Sequence, residues 1–326
     1  MSSPRQKTVI ILSVDYDSHV DFMLPYLSNA LLIDAQSIAD CDELSYRTDN
    51  KGVHIVYRGK ELTDVSGVWL RRPRTKEVSV LKLSVDPSYR DYSVSAILRH
   101  ADALMSHFND ATWVSDPFAI QRANYKPFQL DTAIRLGFNV PATLFTSDAA
   151  RAKEFVDKHK EVVFKPIAQD FPNTKKSYKA LYTTRVVSPE TMRYQGLNLA
   201  PTIFQQTIEP ALDLRITVVD NKVFAAGITV DNLDESPRLD WRMGNVMGEM
   251  HIEPYTLPKE VSDKCVVLVK QLGLKFGAID MILDKKGKFW FLEINPNGQW
   301  AFVEDVTGQP IAKALAELLE TGKVTS

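Results

Sequence analysis

The sequence predicts an α/β protein with α+β character in its second half. In the first third, strand-like apolar runs alternate with helical patterns, as where the strand-like segment 9–14 precedes a helix near 19–27, and such alternation builds sheets covered by helices. From Lys179 onward, strand patterns follow one another with few helices between them. The third observation is a hairpin within residues 277–298 that gathers acidic side chains.

Apolar periodicity, together with capping and turn residues, places the elements along the chain. Strands are predicted at 9–14, 54–57, 68–71, 140–145, 162–165, 180–187, 202–206, 214–219 and 223–229, and in the hairpin at 278–283 and 289–294. Helices are predicted near 19–27, 90–109, 126–135, after a Ser147 cap, at 261–272 and at 311–320. Gly322 follows the last helix, as glycine commonly does at helix C-termini.

Composition favours a soluble globular protein, because the 326 residues are 44% hydrophobic and 25% charged with a net charge of −2. This balance gives no strong electrostatic case for a nucleic-acid partner. The polar start from Met1 to Lys7 does not have the pattern of a signal peptide, and no apolar run approaches membrane-spanning length. A cytoplasmic location without membrane contact is therefore expected. Cys41 and Cys265 lack metal-ligand spacing, so neither a disulfide framework nor a zinc site is expected.

The hairpin carries the clearest chemical signal. Its two apolar runs flank the turn-like segment 284–287. If the turn holds an even number of residues, Asp280 and Glu293 project from the same face, since side chains alternate along a strand, and Asn295 joins them. Three oxygen-bearing side chains suit a hard cation such as Mg²⁺ that bridges the phosphates of a nucleotide. The alternative is a polar strand end near solvent.

Further charged residues precede the hairpin in the chain. Lys126 opens a helix and Lys165 ends an apolar strand, and either ammonium could meet a phosphate as a point charge, although surface lysines are common. Asp213 and Arg215 lie two residues apart on a predicted strand, so they share a face. An acid for ribose hydroxyls and an arginine for a transferring phosphate would explain the pair, and an exposed salt bridge is the alternative.

Taken in this order, the motifs resemble those of the ATP-grasp ligases, in the branch that includes the ribosomal-protein glutamate ligase. The motifs are Lys126, Val163-Phe-Lys165-Pro, Phe204-Gln-Gln, Asp213-Leu-Arg215, Asp280-Met and Glu293-Ile-Asn295-Pro. The form most similar is the microviridin-type peptide maturases, the macrocyclases that make graspetides. That similarity is carried by Val68-Trp-Leu-Arg71-Arg72-Pro73, by Leu239-Asp-Trp-Arg242 with Tyr255-Thr-Leu-Pro258, and by Asn295-Pro-Asn-Gly298-Gln-Trp300 with Glu304. The resemblance covers roughly residues 1–310.

The resemblance implies an ATP-grasp fold in three parts, with ATP and Mg²⁺ as cofactors. The parts are an N-terminal pre-ATP-grasp domain at 1–118, a central subdomain at 119–187 and a C-terminal grasp domain at 188–326, with ATP between the last two. The implied roles are Lys126 and Lys165 for the α- and β-phosphates, Gln205, Gln206, Thr207, Ile208 and Asp213 for the nucleoside, Asp280, Glu293 and Asn295 for Mg²⁺, and Arg215 and Arg242 for the transferring phosphoryl group and acyl phosphate.

The implied reaction joins two side chains of a ribosomal precursor peptide, which consists of a leader and a core. A Glu or Asp carboxylate would become an acyl phosphate, and a Ser or Thr hydroxyl or a Lys amine of the same peptide would attack it and close a ring. Such chemistry depends mainly on positioning and charge neutralisation. The basic run Arg71, Arg72 and Arg74 could meet an acidic core peptide or the nucleotide, and a solvated strand edge is the alternative.

One segment departs from the resembled pattern. Many ATP-grasp enzymes carry a glycine-rich loop over the phosphates, whereas residues 170–179 contain no glycine. In the resembled maturases this region forms a hairpin that helps to hold the leader peptide. Lys175, Lys176, Tyr178 and Lys179 are therefore expected to contact a leader, with a phosphate lid or a solvated basic loop as the alternatives.

Two other functions stay open from the sequence. One is an intermolecular ligase that adds amino acids to a protein or a small acid. The other is an ATP-binding regulatory protein without turnover. A homodimer also stays open.

Overall fold

The computed structural model describes residues 7–14, 16–34, 43–72, 86–167, 185–231 and 249–325. The strands are β1 (Thr8–Ser13), β2 (Ala30–Asp34), β3 (Leu44–Asp49), β4 (Gly52–Tyr57), β5 (Lys60–Glu61), β6 (Val65–Leu70), β7 (Thr112–Val114), β8 (Thr143–Thr146), β9 (Val162–Pro166), β10 (Arg185–Val187), β11 (Thr202–Gln206), β12 (Pro210–Val219), β13 (Lys222–Asp231), β14 (Glu249–Pro254), β15 (Phe276–Asp284) and β16 (Phe289–Asn295). The α-helices are α1 (Ser18–Met23), α2 (Arg90–Ala103), α3 (Pro117–Ala123), α4 (Lys126–Arg135), α5 (Ala149–His159), α6 (Lys259–Gln271), α7 (Ala301–Thr307) and α8 (Ile311–Thr321).

The first sheet is parallel, with the strand order β2-β1-β6-β7. Its central strand β1 is an unbroken apolar run with both faces buried, the pattern expected where elements cover a parallel sheet on both sides. The C-terminal helix α8 packs on β6 and β7. A Cβ atom on Gly67 would lie 2.3 Å from the Leu319 carbonyl oxygen, so the backbone of α8 lies directly on this sheet. A small antiparallel sheet, β3-β4-β5, follows β2 in the chain.

A second four-stranded sheet is antiparallel, with the order β10-β9-β11-β8. Helix α5 packs on β8 and β11. The side chains of the small core between them are Ala152, Val156, Val162, Met192, Leu197 and Phe204. This sheet has a core of its own, separate from the two larger apolar clusters of the protein.

The third sheet has five antiparallel strands in the order β14-β13-β12-β15-β16. Because side chains alternate along a strand, its two faces bury different residues. Ile279 on β15 packs in the cluster that contains residues of α6, whereas Ala278 packs in the cluster that contains residues of α8. Asp280 therefore shares the face of Ala278.

Most predicted elements are confirmed, with differences at their ends, but the sequence analysis did not predict β2, β3, β5, β7, β14, α3 or α7. The predicted helix at 90–109 is α-helical only to Ala103 and continues as a 3-10 turn, Leu104–Ser106. The prediction that Ser147 caps the helix that follows it was wrong. Asp148 caps α5, because its Oδ1 accepts the N–H groups of Ala150 and Arg151 at 2.8 and 3.2 Å.

Of the predicted strand at 180–187, only Arg185–Val187 lies within the described residues. The described part of the chain contains no helix that is both long enough and apolar enough to span a bilayer.

Candidate active site

The acidic hairpin forms as predicted, but with a different turn. Asp284 pairs with Lys288 across a turn in which Gly287 has φ of +78°, a conformation that glycine adopts without strain. Three residues lie between them, an odd number, and a regular ladder continued from this turn would set Leu292 opposite Asp280. A β-bulge shifts the register between Asp280 and Met281, so that Asp280 pairs with Glu293 instead. The bulge therefore brings the two carboxylates to one face.

These carboxylates lie side by side in a row of charged side chains across three strands, with a cation at each end. Arg215 on β12 pairs with Asp280 on β15, which in turn pairs with Glu293 on β16. Arg215 Nη1 donates to Asp280 Oδ1 at 2.7 Å, and Lys126 Nζ donates to Glu293 Oε2. Asp280 is only 7% exposed and Glu293 8%. Two cations thus offset two buried anions, as the cost of burying charge requires.

Asn295 Nδ2 lies between the two carboxylates, 3.4 Å from Asp280 Oδ2 and 3.2 Å from Glu293 Oε1. Each carboxylate thus accepts from a cationic side chain, Arg215 or Lys126, with one oxygen and from the Asn295 amide with the other. The Asn295 amide nitrogen therefore occupies the position, between the two carboxylates, that a bound cation would take. Carboxylate oxygens of this kind fit Mg²⁺, which takes one or two protein carboxylates and keeps several waters. For Asn295 to be a ligand as well, its amide must turn so that Oδ1 faces the cation. Within the described ranges no group of three His, Cys, Asp or Glu side chains is suited to a metal.

Arg215 is buried, with 5% exposure, and its planar guanidinium group donates hydrogen bonds to two partners. While Nη1 pairs with Asp280, Nη2 donates to the Gln299 carbonyl at 2.7 Å. The alternative of an exposed salt bridge between Asp213 and Arg215 is therefore wrong. Arg215 instead orients Asp280 and joins β12 to the loop after β16.

Helix α4 holds Lys126 against the third sheet. Gln129, on the same helix, donates to the carbonyls of Ala123 and Ile294 at 2.6 and 2.8 Å and accepts the Ile294 N–H at 3.2 Å. Asn139, beyond the helix, accepts the Phe291 N–H at 2.8 Å. These bonds fix α4 beside β16, so that the Lys126 ammonium reaches Glu293.

Of the other predicted nucleotide residues, Lys165, Gln205 and Gln206 lie on the second sheet, Thr207 and Ile208 follow β11, and Asp213 lies on β12 of the third sheet. Lys165 on β9 donates to Gln205 Oε1 on β11 at 3.0 Å, and Gln205 Nε2 donates to Thr143 Oγ1 at 3.0 Å. The backbone N–H groups of Gln206 and Thr207 are bonded to the Ala142 and Glu161 carbonyls. Those two N–H groups are thus already paired, and Ile208 is buried. The structure therefore brings Lys165 and Gln205 together, on a different sheet from the carboxylates.

Residues 126–319 match the RimK-like ATP-grasp domain, which is more than half of the chain. The chain belongs to the RimK-like ATP-grasp family. It is an ATP-dependent ligase, and enzymes of this family use ATP and Mg²⁺. The fold, the enzyme class and the cofactors expected from the sequence are confirmed.

Individual relatives are similar over different lengths. Tetrahydromethanopterin:alpha-L-glutamate ligase of Methanocaldococcus jannaschii is 25% identical over 215 residues, 63% of this chain and 68% of that protein. The macrocyclase MdnC of Microcystis aeruginosa MRC, bound with precursor peptide MdnA, has a TM-score of 0.82 at 27% identity, over 97% of this chain and 100% of MdnC. The RiPP-associated ATP-grasp ligase of Chryseobacterium gregarium, in complex with ADP and a leader and core peptide, has a TM-score of 0.84 at 26% identity, over 96% of both chains.

The N-terminal part of the ligase contributes a charged cluster, of which only Arg71 and Arg72 were predicted from the sequence. Arg71, just after β6, is buried and donates to the Asn297 carbonyl at 2.5 Å. Its Nε lies 3.3 Å from Asp17 Oδ2, and Arg72 Nε lies 3.5 Å from the same oxygen. Burial alone would raise the pKa of Asp17, but the His19 hydrogen bond and the Arg71 charge hold it well below the usual range. The alternative of a solvated strand edge is wrong for Arg71.

Asp17 and His19 were missed, although the chain carries a signal for them. They follow β1 and Arg71 follows β6, and these strands are neighbours in a parallel sheet. Because ligand sites of α/β sheets collect at the carboxyl ends of the strands, polar residues after two such runs indicate a site. Arg72, with its side chain 40% exposed, lines a cavity of about 170 Å³ beside Asp17, His19 and Gln299. Of the other predicted site residues, Arg74, Lys175, Lys176, Tyr178, Lys179 and Arg242 lie outside the described residues.

Gly298 packs so closely that no larger residue fits. A Cβ atom there would lie 2.4 Å from Ala278 Cβ and 2.8 Å from Arg215 Nη2. We expect Gly298→Ala to lower the free energy of unfolding by about 1–3 kcal/mol, the usual cost of overpacking, and to reduce turnover by displacing Arg215. The matched control is Gly227→Ala, whose Cβ would meet the movable Leu212 side chain at 3.1 Å. Chemical denaturation and ADP release measure both variants, and equal behaviour of the two would contradict the prediction.

Proposed function

We propose that this ligase closes rings in a ribosomal precursor peptide, joining a Glu or Asp side chain to a Ser or Thr hydroxyl or a Lys amine of the same chain. One observation carries the proposal. The similarity to the peptide-bound MdnC and to the peptide-bound Chryseobacterium gregarium ligase covers 97% and 96% of this chain. It therefore includes the N-terminal region, which lies outside the family match at 126–319.

The geometry supports the activation of a carboxylate. When bound, ATP supplies the phosphoryl group, and Mg²⁺ neutralises the negative charge that develops on it. Asp280 and Glu293 would hold the cation, and Lys126 on α4 and Lys165 on β9 would meet phosphate oxygens. Gln205 and Asp213 would contact the nucleoside. Arg215 keeps Asp280 oriented, so that the carboxylate need not reorganise during the reaction.

The acceptor group determines the product but changes little in this machinery. A hydroxyl of Ser or Thr would give an ester and the amine of Lys an amide, each by attack on the activated carbonyl carbon and loss of phosphate. Arg72 lines the cavity beside Asp17 and His19, where its charge suits an acidic core peptide. Lys175, Lys176, Tyr178 and Lys179 would dock the leader, with Arg74 and Arg242 as further contacts to the core peptide and the acyl phosphate.

A second candidate is an intermolecular ligase that adds an amino acid to another molecule. The similarity to the glutamate ligase of Methanocaldococcus jannaschii favours it. That similarity is confined to 63% of this chain, whereas the similarity to the peptide-bound structures is nearly complete. We therefore place ring closure first.

The test is ADP release combined with mass spectrometry of the product. The substrate is the peptide encoded by a short reading frame beside the gene, rich in Thr, Ser or Lys with Glu or Asp. Ring closure predicts ADP formation that depends on the peptide and a product lighter by about one water, 18 Da, for each bond. ADP formation with free glutamate and no peptide, or a product heavier by an amino-acid residue, would support the intermolecular ligase instead. A peptide without its leader segment serves as the control for docking.

A further inference from the structure

His19 joins the N-terminal sheet to the loop before α7. It is buried, its Nδ1 lies 2.9 Å from Asp17 Oδ1, and its Nε2 lies 3.1 Å from the backbone nitrogen of Trp300. A carboxylate can only accept a hydrogen bond and a backbone N–H can only donate one. Only the neutral tautomer with the proton on Nδ1 and the lone pair on Nε2 satisfies both partners.

The charged groups around His19 favour this neutral form. Burial lowers the pKa of the imidazole, and the charges of Arg71 and Arg72 lower it further, against the opposing effect of Asp17. Arg71 Nη2 lies 3.2 Å from Nδ1. On the opposite side His19 meets the uncharged Trp300, whose ring stands edge-on at 5.2 Å between centroids.

The loop 297–300, which His19 contacts, also binds Arg215, the first residue of the charged row in the active site. Trp300 follows Gln299, whose carbonyl accepts from Arg215 Nη2 at 2.7 Å. At the other end of the same loop, the Asn297 carbonyl accepts from Arg71. We propose that His19 is a positioning residue: its neutral imidazole fixes the loop 297–300 and, through the Gln299 carbonyl, the Arg215 fork on Asp280.

Protonation of His19 should release this loop. A second proton on Nε2 would point at the Trp300 N–H, so that two donors would face each other next to the Arg71 cation. Because the folded-state pKa is depressed, the neutral form is fully present at and above the ordinary pKa of histidine. The contact is lost as the pH falls through the lower folded-state value. We therefore expect an acidic limb in the pH profile of kcat that belongs to His19.

Two variants separate the two ring nitrogens. Gln can place an oxygen near the Nε2 position and does not titrate, whereas Asn can reach only the Nδ1 position, towards Asp17. We expect His19→Asn to lower kcat for ADP release about ten- to a hundredfold, the scale of a misplaced group, with KM for ATP within about twofold. His19→Gln should retain most of the activity and lose the acidic limb. Equal loss in both variants, or an acidic limb that persists in His19→Gln, would overturn the proposal.

The turnover measurement rests on the proposed peptide-modifying function, so a second measurement needs no substrate. In protein labelled with ¹⁵N-histidine and ¹⁵N-tryptophan, the His19 ring should show the Nδ1–H tautomer and titrate below the ordinary value. The Trp300 backbone amide should shift in His19→Asn and stay near its wild-type position in His19→Gln. If the peptide proves not to be a substrate but these signals hold, ring closure fails and the positioning role stands. An Nε2–H tautomer, or a Trp300 amide that is unchanged in His19→Asn, overturns the positioning role alone.

Discussion

Replacing Glu293 by Gln is expected to lower ATP-dependent turnover at least about a hundredfold, because one of the two carboxylates that we propose as cation ligands is lost while the side-chain shape is kept. Stabilisation of phosphoryl charge by a metal is worth several kcal/mol, and each 1.36 kcal/mol is tenfold in rate. The Gln amide can still accept from Lys126, so the fold should persist. ADP release at several Mg²⁺ concentrations measures the effect, and excess Mg²⁺ should restore part of the activity.

Glu209→Gln is the matched control for this prediction. Glu209 also pairs with a lysine, Lys285, but both side chains are exposed, and such pairs contribute little. Its turnover and stability should equal those of the unsubstituted protein. Near-normal turnover of Glu293→Gln at ordinary Mg²⁺ would remove Glu293 from the cation site.

Arg215→Lys is expected to be the most damaging change that conserves charge. The guanidinium serves Asp280 and the Gln299 carbonyl at 2.7 Å each, from two nitrogens of one rigid plane. A single ammonium cannot reproduce that fork, and one buried partner is left unsatisfied. We expect the free energy of unfolding to fall by about 1–3 kcal/mol, the cost of an unmet buried hydrogen bond, and kcat to fall at least about tenfold.

Arg135→Lys controls for the loss of a guanidinium as such. Arg135 pairs with Asp131 on the surface of α4, and both side chains are mostly exposed. Denaturant unfolding and ADP release should leave this control unchanged. If Arg215→Lys instead weakens only nucleotide binding, with normal stability and kcat, then Arg215 contacts the nucleotide rather than orienting Asp280.

The hairpin and its acids could be predicted because turn residues and alternating apolar runs are local properties of the chain. Asp280 and Glu293 were found in this way, and Lys126 and Arg215 through the order of the motifs. The bulge could not be predicted, because the register of two strands depends on packing across both faces of the sheet. The sequence therefore predicted correctly that Asp280 and Glu293 share a face, but it required a turn with an even number of residues. In the structure the turn has an odd number, and a bulge produces the same pairing.

Long-range contacts account for the rest of what sequence reasoning missed. His19 and Trp300 are far apart in the chain, and neither stands in a local pattern that suggests a hydrogen bond between them. Gln129 reads as an ordinary polar residue of α4, yet it is buried against β16. Helix propensity and periodicity predict on which side of the helix such a residue lies, but they do not predict which strand its side chain will hydrogen-bond.

The hydrogen bonds that Gln129 and Asn139 make to β16 have a mechanical consequence. They attach Lys126 to the third sheet, whereas Lys165 belongs to the second. A change in the angle between these sheets therefore alters the distance between the two ammonium groups, while the contact of Lys126 with Glu293 moves as one body. An anion that touches both lysines would therefore hold the two sheets at one angle, and the length of that anion would set the angle.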